Sequence, residues 1–253
     1  MTLDFARAGG SNPAMPLDPR FRPDVMLLAA GLGTRLRPLT ETTPKPLVRV
    51  AGAPLIDRVI AEAAAEGFSR FVVNLHHHAE QLRAHLAVQP AERRFRFSDE
   101  PALLGTGGGV KHALPLLETD PILVMNTDAF WPVGADAPLG RMLARFGVEA
   151  DIVLLCAQPR RAHGFGRSHD FCLDPRGVVT RDFGQPVIYA GAALVVRGLV
   201  ATEPAESFSL YRLFEAALDR GTLGGVVLDA PWFHVGDAAG LAAAETALAA
   251  RAG

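Results

Sequence analysis

The chain has 253 residues, 49% apolar and 21% charged, with a formal net charge of −2. That length and composition suit one α/β domain with a sizeable core. A charge so close to neutral excludes a broad basic field for nucleic acid or anionic membrane, so any bound phosphate must be held by a local set of donors.

Residues 1–23 mix Pro, Gly, Arg and Asp without an apolar core, which reads as a flexible N-terminal extension rather than a signal peptide. Residues 24–253 read as a single domain. Val25–Ala29 is a first buried strand, and Leu55–Gly67 has helical spacing with a terminal Gly as C-cap. Arg70–Leu75 is a second strand, and His76-His77-His78 reads as a solvated turn into a helix over Ala79–Leu86. Consecutive histidines cannot all point at one ion from regular structure, so no metal site is expected there. Phe95–Phe97, Pro121–Asn126 and Asp151–Cys156 follow as strands. Helical patterns at Gly108–Leu117 and Leu139–Phe146 separate them. Strands alternating with helices imply a mostly parallel sheet covered on both faces. From Phe171 the texture changes to short pieces (Phe171–Leu173, Val178–Thr180, Val187–Tyr189, Ala192–Val196), an antiparallel extension forming one wall of a pocket. Helices over Phe208–Arg220 and Ala238–Arg251 flank a strand at Gly225–Leu228. The longest apolar runs fall far short of a membrane span. Two cysteines, Cys156 and Cys172, lie outside any ligand-spaced cluster, as in a cytoplasmic protein without disulfides.

The strongest chemical signal follows the first strand: Leu28-Ala29-Ala30-Gly31-Leu32-Gly33-Thr34-Arg35, then Pro44-Lys45-Pro46-Leu47. Gly31 and Gly33 let the backbone approach a ligand and aim amide N–H groups at phosphate oxygens. Thr34 adds a hydroxyl, and Arg35 a planar fork for polyphosphate. A Gly-x-Gly turn can also merely join strand to helix. The dinucleotide-binding fingerprint fails for want of its third glycine, and no Walker Gly-Lys-Ser/Thr is present. The chain holds only two lysines, Lys45 and Lys111, against 23 arginines. A cation kept as Lys in such a chain points to a need for a compact ammonium. For Lys111, one turn into a helix, an exposed surface cation is the simpler account.

Leu104-Gly105-Thr106-Gly107-Gly108-Gly109 reads as a second ligand loop ahead of a helix N-terminus with free N–H donors. Asn126-Thr127-Asp128 ends the fourth strand, where open α/β sheets place ligand chemistry. Asp128 can either hold Mg²⁺ or cap the next loop.

With those residues on the page, Leu28–Leu47, continued by Val50–Ile56, resembles the sugar-1-phosphate nucleotidyltransferase family, and the resemblance runs to the final helix. It implies a Rossmann-like α/β fold of the nucleotide-diphospho-sugar transferase type, acting on a nucleoside triphosphate and a sugar 1-phosphate with Mg²⁺ as cofactor. By resemblance, Leu28, Ala29, Ala30, Gly31, Gly33, Thr34, Arg35, Gly107 and Gly108 bind nucleotide, and Asn126 and Gly191 contact the sugar. Arg35 and Lys45 are the catalytic cations. Asp128 is the metal-binding carboxylate. Family members commonly carry a second such Asp where this chain has His234, in Trp232-Phe233-His234-Val235-Gly236-Asp237. Imidazole is a poor partner for Mg²⁺, so His234 acts through water, touches phosphate, or leaves the metal to Asp128. Asp237 reads instead as the N-cap of the last helix. The Thr-Gly-Gly-Gly loop and the Trp232 segment resemble the branch that uridylylates N-acetylmuramate 1-phosphate in cell-wall (peptidoglycan) recycling. A mannose-1-phosphate guanylyltransferase and a non-catalytic regulatory subunit are the alternatives. A monomer or small homo-oligomer is expected.

Overall fold

The computed structural model describes residues 20–147 and 150–252, so most of the expected N-terminal extension lies outside the described residues. Nine strands build the large sheet: β1 (Val25–Leu28), β2 (Arg70–Leu75), β3 (Arg94–Asp99), β4 (Ile122–Asn126), β5 (Ile152–Ala157), β6 (Phe171–Leu173), β7 (Val179–Thr180), β8 (Gln185–Val195) and β9 (Leu223–Val227). Strands β4, β1, β2 and β3 lie side by side and parallel. Strand β8 joins this block to the parallel pair β5 and β9, running antiparallel to both β4 and β5. Its first residues pair with β6, which pairs with β7. The parallel block and antiparallel extension read from the sequence are both present.

Strand alternation explains the two-faced core. Val25, Leu27, Leu123 and Met125 point to one side with helices α1 (Leu55–Ala65) and α2 (Ala79–Ala87). Met26, Ile122 and Val124 point to the other, against α3 (Gly105–Ala113). The first face is also covered by α4 (Pro138–Arg145), the second by α5 (Tyr211–Asp219). Successive side chains of a strand leave on opposite faces, so continuous apolar runs require cover on both sides. Helix α1 buries Leu55, Ile56, Val59, Ile60 and Ala63 along one stripe, the spacing expected of an amphipathic helix. The chain closes with α6 (Ala238–Ala252). Among the described residues no helix is long and apolar enough to cross a membrane.

Two boundaries differ in an informative way. Val187–Tyr189 and Ala192–Val196 are one strand, β8, interrupted by a bulge between Tyr189 and Ala193. Gly191 sits in that bulge at φ +88°, a conformation that favours glycine. Helix α3 starts at Gly105, so the glycines read as a loop form its first turns. Glycine is a poor helix former, but here a second chain segment compensates. The Gly107 and Gly108 N–H groups donate to the Phe208 carbonyl at 2.9 and 3.2 Å.

Candidate active site

The carboxyl ends of β1, β2, β3 and β4 open on one edge, and each delivers polar groups to a cleft of about 420 Å³. After β1 the chain cannot pair further, because Gly33 turns it at φ +64° into the short helical turn Thr34–Leu36. A Cβ at Gly33 would come within 2.8 Å of the Thr40 methyl and 3.0 Å of Lys45 Cβ. The Thr40 hydroxyl donates to the Gly33 carbonyl at 2.8 Å, so the loop is closed tightly on its own inner side. A Cβ at Gly31 would meet nothing within 4 Å, which leaves that backbone facing open space. Leu28, Ala29, Ala30, Gly31, Gly33, Thr34 and Arg35 all line the cleft.

Lys45 begins a short helical turn between Pro44 and Pro46, with Pro46 buried. Its ammonium donates to Asp128 Oδ2 at 2.6 Å. Asp128 follows β4, and the Thr127 hydroxyl fixes that corner by donating to the Leu28 carbonyl at 2.8 Å. Burial pushes the Asp128 carboxyl up, but Lys45, His234 and Arg35 together outweigh it and hold the group below its ordinary value. The aspartate is therefore an anion, and the Lys45 ammonium is its partner.

A small ladder aligns the next residues. Ala129–Phe130 pairs with Trp232–His234, placing Ala129 opposite His234. The Val235 N–H donates to the Asp128 carbonyl at 2.8 Å. The His234 Nε2 stands 3.9 Å from Asp128 Oδ2, and its ring stacks on Trp232 at 5.7 Å between centroids. Nδ1 lies 3.4 Å from the Gly164 carbonyl. A carbonyl can only accept, so a hydrogen bond there would be donated by Nδ1, with Nε2 on the side of the aspartate.

Beyond this junction lies a second cavity of about 470 Å³, sharing Arg35 and Asn126 with the first. Gly191 and His234 line it, as do Arg167, Asp170, Tyr189 and Tyr211. The Tyr189 hydroxyl is buried without a hydrogen-bond partner among the described residues, and burial pushes its pKa well above the ordinary phenol range. Burial also pushes Tyr211 up to about 12, so both phenols stay neutral at ordinary pH. Asp170 is raised by burial, against the opposing pull of the Tyr189 N–H and Arg167.

Gly107 and Gly108 do not reach the cleft; Gly105 and Thr106 line it instead. A Cβ at Gly107 would overlap the Phe208 ring, and one at Gly108 the Glu206 carbonyl. Their N–H groups donate to the Phe208 carbonyl, so these two glycines, expected to bind nucleotide, pack here against a later segment of the chain. Asp237 does cap α6, accepting the Gly240 N–H at 2.8 Å. The sequence reading missed Asn74 and Glu100. Asn74 accepts the Ala29 N–H at 2.6 Å and donates to Glu100 Oε1 at 2.6 Å, and both line the first cleft. Their signal was a buried Asn near the carboxyl end of one strand and an acid just past the end of the next.

No group of three or more His, Cys, Asp or Glu gathers as a metal cage among the described residues. Mg²⁺ is content with one or two carboxylates plus phosphate oxygens and water. Asp128, lining the first cavity beside its junction with the second, fits that donor set, whereas His234 supplies nitrogen.

The carboxyl edge of the sheet, where these cavities lie, is where open α/β sheets of this kind bind their ligands. A family model described as nucleotidyl transferase matches residues 24–167, so this chain belongs to that family. The chain is 39% identical over 232 residues to N-acetylmuramate alpha-1-phosphate uridylyltransferase of Caulobacter vibrioides, covering 88% of this chain and 96% of the relative. It is 46% identical over 105 residues to the Neisseria meningitidis serogroup B protein of the same name, covering 41% of this chain and 46% of that one. The crystal structure of HddC from Yersinia pseudotuberculosis superposes with a TM-score of 0.71 at 22% identity, covering 89% of this chain and 99% of that one; this likeness bears on fold alone. The resemblance to sugar-1-phosphate nucleotidyltransferases carried by Leu28–Leu47 therefore holds.

Proposed function

We propose that the chain transfers the uridylyl group of UTP to N-acetylmuramate 1-phosphate and releases pyrophosphate. The observation that carries the reading is the meeting of two cavities at Arg35 and Asn126, with the Lys45–Asp128 pair lining the first beside that junction. The first cavity takes the triphosphate, with the Gly31 backbone toward its phosphates. The second takes the sugar, placing its phosphate oxygen in line with the α-phosphorus. The new P–O bond forms as the bond to pyrophosphate breaks, and no protein nucleophile is needed. Positioning and charge stabilisation carry such a reaction. Arg35 holds the phosphates by its planar fork, and Lys45 places a compact charge on the reacting phosphate. Asp128 would hold Mg²⁺, which would supply positive charge to offset that of the phosphates.

The choice of base and sugar is supported by the similarity to the Caulobacter vibrioides relative over nearly its whole length. A nucleotide-activated muramyl sugar is a peptidoglycan-building compound, which fits a cytoplasmic role in cell-wall recycling. The test is pyrophosphate release across a matrix of nucleoside triphosphates and sugar 1-phosphates, with and without Mg²⁺. Highest kcat/KM for UTP with the muramyl substrate is expected. A clear preference for another pair, such as GTP with mannose 1-phosphate, would overturn it.

A further inference from the structure

The second cavity holds a cation that the phosphate does not require. Arg35 stands at the junction, where the sugar's phosphate lies in the reading above. Arg167 belongs to the second cavity alone. Its guanidinium is fixed from several directions. Nη2 forms an ion pair with Asp170 Oδ1 at 2.6 Å, the Tyr211 side chain lines the same cavity, and Cζ lies 5.2 Å from the centroid of the Phe165 ring. Asp170 is almost wholly buried, and its Oδ2 accepts the Tyr189 N–H at 3.0 Å. That acid is engaged in holding the fork. The other cavity carboxylate, Asp237, is engaged in capping α6.

A guanidinium carries five N–H donors. Asp170 pairs with it as an opposite charge, and the side chain remains 67% exposed. A planar fork held this way is organised in advance for a second planar anion, because a carboxylate can accept two parallel N–H bonds. N-acetylmuramate differs from N-acetylglucosamine by one group, a lactyl ether at O3 that ends in a carboxylate.

We propose that Arg167 binds the lactyl carboxylate of the acceptor sugar and thereby selects it over the unsubstituted parent sugar. Asp170 and Tyr211 act as positioning residues for that guanidinium. The assignment rests on the muramyl reading of the function given above. It also supplies a reason for an arginine, since a sugar hydroxyl asks for no full positive charge.

The experiment measures kcat and KM at saturating UTP for three acceptors: N-acetylmuramate 1-phosphate, its lactyl methyl ester, and N-acetylglucosamine 1-phosphate. Wild type, Arg167→Gln and Arg167→Lys are compared, with melting temperature and UTP affinity confirming that each is folded. Wild type should favour the free carboxylate by about ten- to a hundredfold, the range of one charge-assisted hydrogen-bonded contact. In Arg167→Gln that preference should vanish, chiefly through KM, while the other two acceptors stay within about twofold of wild type. Arg167→Lys should recover part of it. An equal loss on all three acceptors, or a preference that survives Arg167→Gln, would overturn the assignment. Failure of the functional reading shows elsewhere. Wild type would then turn over another sugar 1-phosphate but not the muramyl one, which ends both conclusions before any variant is compared.

Discussion

Two glycine-rich segments, each followed by one of the chain's two lysines, look interchangeable in sequence and behave oppositely in the fold. At Gly31 a missing Cβ leaves open space, and Lys45 reaches across the cleft to Asp128. At Gly107 and Gly108 the missing Cβ atoms make room for Phe208 and Glu206, and Lys111 pairs with Glu206 at 2.5 Å. In the first segment the backbone is kept bare for a ligand. In the second it is bare so that residues some hundred positions later can pack upon it. Glycine richness marks close approach; what approaches is decided by the rest of the chain.

That contrast can be broken at several points, beginning with the largest expected effect. Asp128→Asn should lower turnover about a hundredfold or more while metal-free UTP affinity stays within about threefold. Pyrophosphate release and calorimetry would check this, and retained Mg²⁺-dependent turnover would move the metal elsewhere. Gly107→Ala should cost about 1–3 kcal/mol of stability by overpacking against Phe208. Its kcat per folded molecule should change little. A stable variant with poor UTP affinity would return Gly107 to the nucleotide site.

Lys45→Arg should reduce kcat by about tenfold or more, since a fork cannot reproduce a point charge. The same lysine sets a pH dependence. Asp128 is held below its ordinary value, so its pairing stabilises the fold fully above about pH 4 and is lost as pH falls through the lower folded value. The stability gap between wild type and Lys45→Met should accordingly be widest near neutrality and close in acid. Melting curves at stepped pH would show it, and a gap that does not narrow in acid would remove the ion pair as its cause. Gly31→Ala should leave the melting temperature nearly unchanged and raise the KM for UTP by roughly several-fold to tenfold. Smallest of all, Lys111→Met should cost under about 1 kcal/mol, because its partner Glu206 is exposed. Its activity should match wild type.

The same contrast explains what could be read from the sequence alone. The central strands β1, β4 and β5 were legible because each carries an apolar run demanded by cover on two faces. The Leu28–Lys45 cleft wall was legible because its chemistry is contiguous in the chain. Helix α3 was displaced by three residues, since five residues rich in glycine do not announce a helix when the stabilising carbonyl belongs to Phe208. Asn74, Glu100, Arg167 and Asp170 escaped for a related reason. Each is a lone polar residue whose meaning arises only when the sheet brings separate strand ends and loops together.

Arg35 and Asn126 wall both cavities. Two ligands that lean on the same side chains cannot bind as independent events. Whatever factor the occupied first cavity imposes on affinity in the second, the second must impose on the first, since the two routes to the doubly occupied protein share their end points. The common wall thus makes the protein a thermodynamic coupler as well as a scaffold. Saturation with either substrate alone reports an affinity that need not hold for the working complex.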